Sequence, residues 1–86
     1  MKKKILSKSN KRLYITSDIW NDRVFYVRTE VELISRLLLV DTKKCRWEMY
    51  FYPYKLRLKF NKLKNALDFT ERQFKKYWSE KYEIHN

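Results

Sequence analysis

Apolar and polar residues alternate with a period of two over much of the chain, the mark of strands that bury one face. Leu13 and Ile15 alternate with Arg12, Tyr14 and Thr16, and Phe25 and Val27 alternate with Val24, Tyr26 and Arg28. Residues 12–16 and 23–28 therefore read as an antiparallel pair, with Leu13, Ile15, Phe25 and Val27 inward and Arg12, Tyr14, Tyr26 and Arg28 outward. The turn between them, residues 17–22, carries Ile19 and Trp20. Trp20 reads either as a cap on the core or as an exposed contact residue.

The longest alternation covers residues 45–60. Cys45, Trp47, Met49 and Phe51 interleave with Arg46, Glu48, Tyr50 and Tyr52, and after Pro53 the series resumes with Tyr54, Leu56, Leu58 and Phe60 against Lys55, Arg57 and Lys59. A hairpin with Tyr52 and Pro53 as a two-residue loop sets Phe51 opposite Tyr54, Met49 opposite Leu56 and Trp47 opposite Leu58. On its other face Tyr50 meets Lys55, Glu48 meets Arg57, and Arg46 meets Lys59. One face is then apolar and the other basic, and a buried face specifies register strongly. Proline at the second loop position calls for a type VI turn, which predicts a cis Tyr52–Pro53 bond. A longer loop or a bent continuous strand is the alternative.

Two segments read with helical period. Thr29 and Glu32 form a capping box ahead of residues 29–40, with Val31, Ile34, Leu37 and Leu38 on one face and Glu32, Ser35 and Arg36 opposite. A β reading competes there: Val27, Thr29, Val31 and Leu33 alternate, and residues 37–40 fit a pairing with the chain from Cys45 onward. Residues 61–67 read as a helical turn with Leu63 and Leu67 inward. The final helix starts at Thr70 as N-cap, with Gln73 completing a capping box and Phe69 stapled onto Phe74. Its stripe is Phe74, Tyr77, Trp78 and Tyr82, with Arg72, Lys75, Lys76, Ser79 and Glu83 outward, and residues 83–86 are expected to fray. The fold class is α+β: a small antiparallel sheet with two helices on one face, in the order β-β-α-β-β-α, its other face open.

Composition refines this picture. The 86 residues make a single α+β domain over 12–86, preceded by a flexible basic arm over 1–11. Glycine is absent, so any turn that needs positive φ must use another residue. The single cysteine, Cys45, falls on the predicted buried face and reads as a structural thiol in a reducing compartment. Lys2, Lys3 and Lys4 are followed by only two apolar residues, so no signal peptide or membrane span is read and a cytoplasmic location is expected.

Chemistry is sparse. The one histidine, His85, is penultimate, and one Cys with one His builds no zinc site. Neither a cofactor nor a metal is expected, and an enzyme is not. A metal-free ribonuclease built on Glu48, Arg57 and Tyr50 is the remaining catalytic reading, set against a plain cross-strand ion pair beside a tyrosine.

Charge points instead to binding. Lys and Arg total 21 against 10 Asp and Glu, a formal +11, beyond the roughly 2–8 usual for a small domain. A polyanionic partner would relieve the self-repulsion. The candidate contacts are Lys2, Lys3, Lys4, Lys8, Lys11 and Arg12 toward the N-terminus, and Lys43, Lys44, Arg46, Lys55, Arg57, Lys59, Lys62 and Lys64 around the hairpin. Tyr50 sits among the latter. Aromatics beside cations suit unpaired RNA, whose bases stack on exposed rings. RNA is therefore the expected partner, with no membrane partner. Direct inhibition of a host enzyme through a protein contact is the second class.

Stretches such as KKKILSKSNKR and FKKYWSEKY make the chain resemble the small, very basic accessory proteins of T-even-type bacteriophages, among them the TifA-type inhibitors of the ToxIN toxin–antitoxin system. The resemblance lies in size, charge and composition and carries no residue over. It implies an RNA-binding counter-defence protein that restrains a host toxin ribonuclease.

Overall fold

The computed structural model describes residues 3–7 and 10–82, with side chains from Arg12 to Tyr82. Six strands form one antiparallel sheet in sequence order, followed by one helix: β1 (Lys3–Ser7), β2 (Asn10–Ser17), β3 (Val24–Arg28), β4 (Leu33–Asp41), β5 (Arg46–Phe51), β6 (Leu56–Phe60) and α1 (Leu63–Tyr82). The expected β-β-α-β-β-α order with two helices is thus overturned. Within the stretch read as an arm, Lys3–Ser7 pair with β2.

The largest correction concerns residues 29–40, which are not a helix. Thr29 Oγ1 accepts the backbone N–H groups of Val31 and Glu32 at 3.2 and 3.1 Å, so the capping-box residues close a tight turn into β4. A helix there would bury Val31, which is 79% exposed. It would also leave β3 and β5 without the ladder that β4 gives both. Unpaired backbone in a buried sheet costs more than local propensity returns. A bulge opposite Val27 and Arg28 then lets consecutive residues, Ile34 and Ser35, both be buried.

The last hairpin keeps its predicted faces but slips by two residues. Phe51 pairs with Leu56, Met49 with Leu58 and Trp47 with Phe60. A four-residue loop replaces the two-residue one: Tyr52–Tyr54 make a single 3-10 turn and Lys55 takes left-handed backbone. The Tyr52–Pro53 bond is trans, as no cis peptide occurs among the described residues. Pro53 fits the 3-10 turn because its fixed φ suits the first helical positions and its missing N–H is not needed there. Cys45 is corrected too: it is exposed, in the β4–β5 turn, at φ 50°.

Residues 63–67 of the expected helical turn and the predicted last helix merge into α1, with residues 61–62 forming the bend ahead of it. Leu63, Ala66, Leu67, Thr70, Phe74, Tyr77 and Trp78 follow helical spacing along its inner side. Thr70 is therefore a buried mid-helix residue, not an N-cap, and its hydroxyl lies 3.3 Å from that of Ser35. Phe69 packs on Phe60, with ring centroids 5.7 Å apart, instead of stapling to Phe74.

The core lies between α1 and one sheet face. Register stacks that face in rows: Ile15, Val27, Ser35, Phe51 and Leu56; Ser17, Phe25, Leu37, Met49 and Leu58; Leu39, Trp47 and Phe60. With one helix for six strands, the opposite face has no covering layer among the described residues. No described helix is long and apolar enough to cross a membrane.

Candidate nucleic-acid interface

The same register that builds the core rows also orders the uncovered face. Directly paired positions run Thr16, Tyr26, Arg36, Tyr50, Arg57 across β2 to β6. Four adjacent strands thus present tyrosine, arginine, tyrosine, arginine in one row, about 14 Å from end to end at the usual strand spacing. The neighbouring row is Val24, Leu38, Glu48, Lys59. Alternation explains both rows: once Phe25, Leu37, Met49 and Leu58 face the helix, their neighbours must face away.

The Arg57 guanidinium carbon sits 5.4 Å from the centre of the Tyr50 ring. Tyr52, brought back by the 3-10 turn, meets Tyr50 edge-on at 4.7 Å. At the row's other end the Tyr26 hydroxyl donates to Asp18 Oδ2 at 3.2 Å. Partial burial and that carboxylate both push the Tyr26 pKa up, keeping its phenol neutral. Together Arg36, Leu38, Glu48, Tyr50, Tyr52, Arg57 and Lys59 line an open groove of about 740 Å³. Among the described residues, Arg36, Arg46, Glu48 and Lys59 form no ion pair, so their charges face solvent.

Of the residues singled out from sequence, the fold brings Arg46, Tyr50, Arg57 and Lys59 onto this face. Lys55 leaves it for the β5–β6 loop. Lys43 and Lys44 lie in the β4–β5 turn, where their N–H groups bond Asp41 Oδ1 at 3.1 Å each. Lys62 and Lys64 stand at the start of α1. Arg12 lies over the Trp78 ring at 4.7 Å, on the helix side. Lys3, Lys4 and Lys11 have backbone in β1 and β2, and Lys2 and Lys8 lie outside the described residues. Glu48 and Arg57 are not directly opposed; Glu48 faces Lys59.

Sequence reading missed Arg36, Leu38 and Tyr52 as members of the site. Arg36 and Leu38 were hidden by the helical reading, although the competing β reading held the needed signal. Tyr52 was placed at a loop tip by the shorter turn. Trp20 is 90% exposed, which removes its core-capping reading. Its loop is held by side-chain turns, with Asp18 Oδ1 accepting the Trp20 N–H at 2.7 Å and Asn21 Oδ1 the Arg23 N–H at 2.9 Å.

Comparison with known protein families, curated proteins and solved structures gave no match. The site's own chemistry carries the functional reading.

Proposed function

We propose that this protein binds single-stranded or looped RNA on the uncovered sheet face, without catalysing a reaction. The observation that carries the reading is the Tyr26–Arg36–Tyr50–Arg57 row, flanked by Lys59 and Arg46. Tyrosine rings offer flat apolar surface to unpaired bases, and interleaved guanidinium groups reach the phosphates between them. A duplex needs neither the rings nor a groove of this kind. Phosphate contacts position the strand, and the rings hold its bases.

Fluorescence anisotropy with a labelled 12-nucleotide RNA tests this directly. Charge reversal of Arg36, Arg57 and Lys59 together is expected to weaken binding at every sequence and to flatten its salt dependence, by about 0.7 in log–log slope for each phosphate that the variant no longer neutralises. Tyr50→Ala is expected to cost about 1–3 kcal/mol of affinity. Undiminished binding by a folded triple variant would refute the reading. In a pull-down, a stoichiometric protein that survives nuclease treatment would favour direct protein inhibition instead. If RNA is captured, restraint of a toxin ribonuclease through shared RNA is the cellular role to test next.

A further inference from the structure

Glu48 is the one carboxylate among the described residues that line the groove. It is exposed and, among the described residues, has no hydrogen bond or ion pair. In a surface that serves only to hold phosphates this acid is a liability, because it repels every phosphate that approaches and lowers the field of Arg36, Arg57 and Lys59. A role in reading a base would offset that cost.

An ionised carboxylate only accepts hydrogen bonds, and its two oxygens suit two parallel donors. Guanine alone offers such a pair on its Watson–Crick edge, N1–H beside the N2 amino group. Adenine and cytosine set a donor next to an acceptor, and uracil holds one donor between two carbonyls. The surroundings of Glu48 also fit a stacked base. Tyr50 stands two residues along the same strand face, about 7 Å away. Tyr52 meets Tyr50 edge-on, and Arg57 lies over the Tyr50 ring. Lys59 is directly across on β6. A base lying flat against this cluster turns its edge along the strand toward Glu48.

We propose that Glu48 makes the groove selective for unpaired guanine, accepting from N1–H and the N2 amino group while the base stacks on the Tyr50–Tyr52–Arg57 cluster. The flanking phosphates then fall to Arg36 and Lys59. This rests on the RNA-binding reading above and adds base selection to it.

The test compares ten-nucleotide oligouridine strands carrying one central guanosine, adenosine, cytidine or inosine, with the uniform strand as reference. The guanosine strand is expected to bind about 5- to 100-fold more tightly than the adenosine or cytidine strand. Inosine, which lacks the N2 amino group, is expected to fall between. Glu48→Gln is expected to shrink the guanosine preference below about threefold while affinity for the adenosine strand holds or rises, since a repelling charge is gone. Because Glu48 is exposed, this change leaves the core intact, and circular dichroism checks that it does. Equal binding of all strands by the native protein, with Arg36→Ala and Arg57→Ala still weakening it, would overturn guanine selection and leave RNA binding standing. Absence of binding to any strand would overturn both.

Discussion

Cys45 and Lys55 hold left-handed backbone, at φ 50° and 54°. Each is the last residue of a four-residue hairpin loop, the first closed by the Asp41–Arg46 pair and the second by Phe51–Leu56. A side chain in that region costs roughly 1–2 kcal/mol, partly recovered because glycine would be looser in the unfolded chain. Cys45→Gly and Lys55→Gly are therefore each expected to stabilise the fold by about 0.5–1 kcal/mol, read as a raised thermal midpoint. The buried Ser35–Thr70 hydroxyl pair behaves oppositely. Ser35→Ala or Thr70→Val alone strands one buried hydroxyl and is expected to cost about 1–3 kcal/mol. The double variant strands neither, so it should cost less than the two single changes added together. A double-mutant cycle by urea denaturation measures the difference.

At the scale of elements, α1 is fastened to the sheet at its C-terminal end by polar contacts as well as by rings. Tyr77 donates to Glu32 Oε2 at 2.9 Å, Lys81 Nζ donates to the Tyr77 hydroxyl at 2.9 Å and lies 3.6 Å from Glu32 Oε1, and Tyr54 donates to Glu80. The turn that sequence reads as a helix start thus uses its glutamate to hold a different helix. Partial burial and the Glu80 carboxylate push the Tyr54 pKa from 10.0 up to about 12, and burial and Glu32 push Tyr77 up as well. A folded pKa above the unfolded one means that the protonated phenol favours the native state. This contribution is complete below pH 10.0 and is lost as pH rises through about 12. Denaturation midpoints measured across that window are expected to fall with pH, and Tyr54→Phe should make the fall shallower. Helix spacing from Thr70 onward and alternation in β2, β3, β5 and β6 were legible, whereas the continuity of α1 through Thr70 was not. Residues 29–40 were not legible either, because Val31, Ile34, Leu37 and Leu38 fitted the helical period while Val27, Thr29, Val31 and Leu33 alternated as a strand would, and the deciding demand came from unpaired backbone on two other strands.

For the molecule as a whole, the formal charge of +11 is spread unevenly. Arg36, Arg46, Arg57 and Lys59 share the uncovered sheet face, whereas Lys76 lies over the Tyr54 ring and Lys81 over Tyr77 and Tyr82 on the helix side. The β2–β3 loop with Trp20, the β4–β5 turn with Lys43 and Lys44, and the start of α1 with Lys62 and Lys64 all lie at one end of the sheet, since the register brings Val24, Leu38, Glu48 and Lys59 side by side there. Such a surplus repels itself in the compact state. Raising salt from about 20 to 150 mM shortens the range of that repulsion and is expected to raise the thermal midpoint. Over the same range RNA binding should weaken.

Amino-acid order alone determined that one strand face would be apolar and its reverse basic and tyrosine-rich, because alternation forces neighbouring side chains to opposite sides. It also determined that a late helix would carry an aromatic stripe, because those rings recur at helical spacing. Only tertiary structure decided that residues 33–41 pair as a central strand, that the hairpin slips by two, and hence that Arg36 stands between Tyr26 and Tyr50. Those outcomes depend on backbone groups of distant strands finding partners, a condition no local pattern contains.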